Sequence, residues 1–91
     1  MFTIISYDII DDKRRLKIAK YLENYATRVH HSVFEAHIDK QQFDKIYREL
    51  IALIKQDEDS IRIYQLCNAC IKKIKICGTG EITKDEEVYI I

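Results

Sequence analysis

Asp8 is the first residue to which chemistry can be assigned. It follows the apolar, β-branched and aromatic run of residues 2–7 and stands just before a loop into a basic stretch. One carboxylate is a poor cage for a metal, but Mg²⁺ takes as few as one or two carboxylates and completes its shell with water and substrate phosphate. A two-fold dimer can bring two Asp8 side chains to one cleft, where a metal would polarise a phosphodiester and lower the pKa of bound water. The competing reading is that Asp8 starts a turn, as Asp often does. Arg14, Arg15 and Lys17 can reach phosphate, and a guanidinium matches phosphate oxygens two at a time; the plainer account of the same residues is a solvated helix face. Tyr7 and Phe34 offer rings for stacking on bases, against core packing as the ordinary use of such side chains. His30 and His31 have the right residue type for acid–base work, but adjacent strand residues point to opposite faces, so they are not expected to act as a pair. Cys67-x-x-Cys70 resembles half a zinc site, yet a full site wants four ligands and only Cys77 follows. Buried thiols at a strand end are the preferred reading of these cysteines.

The elements that must position these groups can be read from periodicity. Residues 2–7 predict a buried strand. Asp11 and Asp12 are good N-caps for a helix over residues 12–25, with Leu16, Ala19, Leu22, Tyr25 and Ala26 as its apolar face. Residues 27–38 are rich in strand formers but long for one strand. Val29 and Val33 share one parity and Phe34, Ala36 and Ile38 do not, so a face switch near His31 and Ser32 predicts a tight hairpin or a bulge in one bent strand. Asp39 can cap a second helix over 40–56, striped by Phe43, Ile46, Tyr47, Leu50, Ile51 and Ile54. Asp57-Glu58-Asp59-Ser60 reads as a polar turn and residues 61–66 as a strand. Residues 67–77 suggest a short helical turn or loop with a brief strand at 74–76. Gly78 and Gly80 then break the chain before a final apolar stub, Val88, Tyr89, Ile90 and Ile91.

With the hairpin, this order is the split βαββαβ plan of an α+β, ferredoxin-like domain over residues 1–77, followed by a linker and tail strand over 78–91. Both helices would cover one face of an antiparallel sheet and leave the other bare, a surface that a homodimer would hide. The tail strand would cross to the partner's sheet edge.

Composition limits the partners. The 91 residues suffice for one domain, and 47% hydrophobic content excludes a disordered chain. Formal net charge is zero, but residues 11–28 carry a local excess of three positive charges and residues 31–60 an excess of three negative ones. A basic stretch in a neutral protein can attract phosphate without acting as a general polyanion sponge. Three cysteines without a recognisable leader suggest a reducing, cytoplasmic setting. No run approaches the ~20 apolar residues of a membrane span, so no membrane partner is expected.

Taken in order, these residues resemble a known family. Ser6-Tyr7-Asp8-Ile9-Ile10-Asp11-Asp12-Lys13-Arg14-Arg15, followed by Lys17-Ile18-Ala19-Lys20, is similar to the opening of the small CRISPR-associated protein of spacer acquisition, the Cas-two (Cas2) family. The family's second signature matches Tyr25, Arg28-Val29 and Ser32-Val33-Phe34-Glu35; Ile63-Tyr64, Leu66-Cys67 and Val88-Tyr89-Ile90 continue the likeness. The resemblance implies a ferredoxin-like homodimer that bridges dimers of the integrase subunit, Cas-one (Cas1), and helps hold duplex DNA. It also implies an endonuclease dependent on Mg²⁺ or Mn²⁺, acting on single-stranded RNA or double-stranded DNA. By this resemblance Asp8 is the metal and catalytic carboxylate, and Tyr7, Arg15, Arg28 and Phe34 are functional, with Lys17 at a position that is often basic. Ala26 departs from a common Gly and His30 from a common Gln, which leaves substrate preference open. The alternative of the same fold is a toxin-like ribonuclease of the virulence-associated D family.

Overall fold

The β-branched run at the N-terminus forms the central strand of the sheet, with Phe2, Thr3, Ile5 and Tyr7 buried. The computed structural model describes residues 1–84. In it β1 (Phe2–Asp8) lies between two antiparallel partners, β3 (Val33–His37) and β4 (Ser60–Leu66), and β2 (Thr27–His30) pairs outside β3, in the order β2-β3-β1-β4. Helices α1 (Asp12–Glu23) and α2 (Lys40–Leu53) supply the crossovers, and a single turn, α3 (Asn68–Ile71), follows β4. This is the ferredoxin-like plan. The tail strand expected at residues 88–91 lies outside the described residues.

The core sits between the helices and one sheet face. Ile5 and Tyr7 from β1, and Phe34 and Ala36 from β3, meet Ile18, Ala19 and Leu22 of α1 and Ile46 and Leu50 of α2. On α1 the predicted face is corrected: Leu16 is 57% exposed and Ile18 takes its place inside. At ~100° per residue Leu16 stands ~120° around the helix from Leu22, outside the stripe. The helix also ends before Tyr25 and Ala26, where the amides of both residues turn onto the Leu22 carbonyl.

The stretch 27–38 contains both devices expected of it. A hairpin turns at His31 and Ser32, and the β2–β3 register shifts between Arg28 and His30. The turn needs no glycine because no residue in it has positive φ. The Arg28 guanidinium holds it instead, donating to the His31 carbonyl from Nε at 3.1 Å and Nη2 at 2.6 Å. Ala26, likewise, adopts no left-handed backbone, so the side chain is unstrained there.

Asp39 caps α2 in a reciprocal capping box with Gln42. The helix stops at Leu53, three residues short of the predicted end at 56. The reason is Asp59, whose carboxylate accepts from Lys55 N at 2.9 Å and draws the chain out of the helix. No strand forms at residues 74–76, where the chain finds no sheet edge to pair with among the described residues.

The opposite sheet face carries the other parity: Phe2, Ile4, Ser6 and Asp8 on β1, Glu35 and His37 on β3, Arg62 and Tyr64 on β4. It is partly covered by the chain's own C-terminal segment. Gly78 and Gly80 adopt positive φ, +87° and +136°, and let the segment turn back. Thr83 Oγ1 then donates to Glu35 at 2.7 Å, and His37 Nε2, 2.8 Å from the Thr83 carbonyl, donates to it in its Nε2–H tautomer. No described helix is long and apolar enough to cross a membrane.

Candidate metal and nucleic-acid site

Asp8 is exposed at the end of β1, opposite Ser60 and on the same sheet face as Ser6 and Arg62. Its carboxylate has no hydrogen bond or ion pair among the described residues. Everything immediately after it is fastened down. Arg15 donates from Nε and Nη2 to the Ile9 carbonyl at 3.1 and 2.9 Å, and from Nη2 to the Ile10 carbonyl at 3.2 Å. Its Nη1 meets Asp12 at 2.6 Å. Asp11 caps α1 by accepting from Arg14 N at 2.9 Å. Of the three acids in this region, only Asp8 is therefore uncommitted.

Asp59 locks the loop from the far side. Its side chain is 0% exposed and accepts from Ile10 N at 3.2 Å, from Lys55 N at 2.9 Å, and from Arg14 Nε and Nη2 at 2.7 and 3.1 Å. A buried carboxylate is tolerated when each oxygen is satisfied in this way. The Arg14 hydrogen bond, reinforced by the Lys55 and Ile10 amides, overcomes burial and lowers its pKa to about 2. Arg14 is correspondingly held well above its ordinary range, first by Asp59 and further by Glu58, 3.1 Å away. Arg14, expected to reach for phosphate, is thus a strut between the β1–α1 loop and the start of β4. Sequence inspection missed Asp59, which looked like one acid among several in a polar turn. Arg62 was also missed; it could have been found by strand alternation once the β1–β4 register was known.

Tyr7, Phe34 and Arg28 come together beneath the β2–β3 turn. Tyr7 and Phe34 are 4% and 0% exposed, their rings stacked with centroids 6.2 Å apart. Tyr7 Oη lies 3.4 Å from the same His31 carbonyl that Arg28 holds, and the Arg28 guanidinium sits 5.6 Å above the Phe34 ring. Base stacking needs an open ring face, and neither ring has one, so core packing accounts for both. Lys17 is exposed on α1, as are Lys13 and Lys20 at helical spacing from it, and none has an ion-pair partner among the described residues. His30 and His31 do not point to opposite faces as expected. His31 lies in the turn, so the strand alternation does not apply, and the two rings meet edge to face at 5.4 Å.

The comparisons with known proteins agree on one family. Residues 1–74 match the family described as CRISPR associated protein Cas2. The chain belongs to the Cas2 family. It is 46% identical over 93 residues to the CRISPR-associated endoribonuclease Cas2 1 of Chloroflexus aurantiacus, covering 100% of both chains. Among solved structures, Streptococcus pyogenes Cas2 superposes with a TM-score of 0.74 at 30% identity, covering 86% of this chain and 100% of that one. A chain in a structure described as a partial Cas6-RT-Cas1–Cas2 complex superposes with a TM-score of 0.73 at 32% identity, covering 82% of each.

The matched region contains Asp8 and all the basic and aromatic candidates. Whether this Cas2-family chain suits a divalent metal can be tested on its donors. Among the described residues no three His, Cys, Asp or Glu side chains converge as a metal cage. At the end of β1, Asp8 offers a hard oxygen pair with no partner among the described residues, which fits a hydrated Mg²⁺ or Mn²⁺ with one protein carboxylate per chain. The cysteines need correction too. Cys67, Cys70 and Cys77 are all free and exposed rather than buried, because β4 ends at Leu66 and α3 has no buried residue.

Proposed function

We propose that this Cas2-family chain acts in CRISPR spacer acquisition as a homodimer that holds duplex DNA between dimers of the Cas1 integrase, and that paired Asp8 carboxylates bind Mg²⁺ or Mn²⁺ for phosphodiester cleavage. The observation that carries the reading is the uncommitted Asp8 carboxylate on a sheet face that the helices leave bare. A second copy packed on that face would bury apolar surface, including the exposed Tyr64 ring. It would also bring the two strand ends into one cleft. The domain ends near residue 77. The setting is cytoplasmic.

Each part of the chain then has a separate task. Asp8 from each copy holds the metal, and the metal supplies Lewis acidity and a more acidic bound water when present. Arg15 and Asp59 keep the following loop still, so that the Asp8 position is preorganised. Arg62 on the same face, and Lys13, Lys17 and Lys20 on α1, supply the free cations for phosphate. Arg28 contributes only the outer edge of its guanidinium. The family assignment favours this reading over the toxin-like ribonuclease alternative, and both RNA and duplex DNA remain substrates to be tested.

The experiment pairs two assays on the purified Asp8→Asn protein. Mg²⁺- or Mn²⁺-dependent cleavage of single-stranded RNA and duplex DNA should fall by more than about 100-fold, the scale expected when a participating group is removed. Spacer acquisition with Cas1 should survive. Unchanged cleavage would remove the nuclease assignment, and lost acquisition in a folded variant would remove the metal-independent bridging role. A protein that sediments as a monomer at all concentrations would end the shared-site argument.

A further inference from the structure

The paired cysteines at the end of β4 have no part in the site described above. They are spaced i, i+3 and exposed, with Cys67 as the N-cap residue of α3 and Cys70 within that helix. The Cys70 and Ile71 amides both close onto the Cys67 carbonyl at 3.0 Å. This single turn keeps the two side chains on neighbouring positions, where Cβ atoms three residues apart sit ~5–6 Å from each other. A disulfide needs a Cβ separation of ~3.5–4.5 Å. One exposed turn with no buried residue can supply that small closure. A metal is the weaker reading, since no third ligand converges on the pair among the described residues.

We infer that Cys67 and Cys70 form a reversible redox pair, a dithiol that closes to an intramolecular disulfide by exchange with a low-molecular-weight disulfide such as glutathione disulfide. The two thiols are not equivalent. The Cys70 amide, then the Cys70 side chain and the Ala69 amide, hold the Cys67 thiol below the usual range, whereas the Cys67 side chain pushes Cys70 up. Cys67 is therefore the attacking sulfur. Its thiolate attacks one sulfur of glutathione disulfide, the S–S bond breaks, and one glutathione leaves as a thiolate that takes up a proton. Cys70 then loses its proton, and its sulfur attacks the Cys67 sulfur of the mixed disulfide and expels the second glutathione. Two protein thiols lose two electrons and one external disulfide gains them. The consequence is mechanical: α3 is the joint between β4 and the segment that reaches Glu35 and His37 through Thr83, so closing the bond changes how that segment lies on the open sheet face.

The test titrates the full-length protein with reduced and oxidised glutathione and counts free thiols by maleimide labelling and intact mass. Oxidation should take the wild type from three free thiols to one, with the mass lower by two hydrogen atoms, and excess reductant should restore it. Cys70→Ser should instead trap a glutathione adduct on Cys67. Cys67→Ser should lose fast exchange, and Cys77→Ser should behave as wild type. Three thiols that persist under oxidising ratios, a bond that requires Cys77, or zinc released on thiol titration of the purified protein would each overturn the inference. The NMR signals of His37 and Thr83 should differ between the two redox states, and coincident signals would refute the coupling to the C-terminal segment. Circular dichroism of the serine variants confirms that the fold is retained, so an unreactive pair in a folded protein counts directly against the chemistry.

Discussion

Replacing Phe34 separates a packing role from a base-stacking role, because both predict loss with alanine and only one predicts loss with leucine. The ring is 0% exposed, stacked on Tyr7 at 6.2 Å and capped by Arg28 at 5.6 Å. Phe34→Ala removes a fully buried ring, which costs about 3–5 kcal/mol in a core. Stability of ordinary domains is about 5–15 kcal/mol in total. At about 4–8 °C per kcal/mol for a domain this size, Tm should fall by at least about 12 °C, and much of the protein would unfold during handling. Loss of nucleic-acid binding by Phe34→Ala is therefore uninformative.

Phe34→Leu keeps most of the apolar volume. It forfeits the aromatic pair, worth about 0.5–1.5 kcal/mol, and the cation–π interaction with Arg28, worth about 0.5–1 kcal/mol. The summed cost of about 1–2.5 kcal/mol leaves a folded protein. If Phe34 only packs the core, duplex or single-strand affinity, measured by fluorescence anisotropy at fixed salt, should stay within about twofold of wild type. If Phe34 stacked on a base, about 1–3 kcal/mol of binding would go with the ring, a loss of roughly 5–150-fold. A Phe34→Leu protein that melts cooperatively near the expected temperature but binds at least about tenfold more weakly would refute the packing argument.

Four further outcomes follow from the geometry. Asp59 has its pKa lowered to about 2 by Arg14 and two amides, so its stabilising contribution is full above the ordinary value of 3.8 and is lost as pH falls through about 2; Asp59→Asn should lower Tm at neutral pH and flatten the acid limb of Tm against pH, and an unchanged limb would contradict the clamp. Arg14→Gln should lower Tm yet leave the salt dependence of DNA binding unchanged, whereas Lys17→Gln should leave Tm unchanged and reduce the slope of log K against log salt by about 0.9 for each phosphate that is no longer neutralised. Asp39→Ala removes the capping box of α2 and should cost about 1 kcal/mol in urea denaturation, with no change in metal-dependent cleavage. Leu16→Gln should shift stability by no more than about 0.5 kcal/mol, as an exposed position does; a cost of several kcal/mol would return Leu16 to the core.

The local elements of this protein were legible from sequence because they rest on short-range physics. Asp11 and Asp39 cap helices through amides three residues ahead, and the β-branched run at residues 2–7 alternates as a strand must. The switch of parity near His31 and Ser32 pointed to a hairpin or a bulge even without glycine. The order of these elements was enough for the ferredoxin-like plan, and the ordered motifs around Asp8 and Phe34 were enough for the Cas2 family. What a basic or aromatic side chain does once placed was not legible. Arg14 and Lys17 are neighbours of similar charge on one helix, yet Arg14 is turned toward a buried acid 45 positions away and Lys17 faces solvent. Tyr7 and Phe34 are the right types for stacking on bases and instead stack on each other. Periodicity reports which face of an element is apolar; it does not report which distant backbone or carboxylate will meet a given polar tip. Those pairings arise only when the β1–β4 register sets Asp8 opposite Ser60 and brings Asp59 under Ile10, so the tertiary structure alone decided which charges are struts and which face solvent.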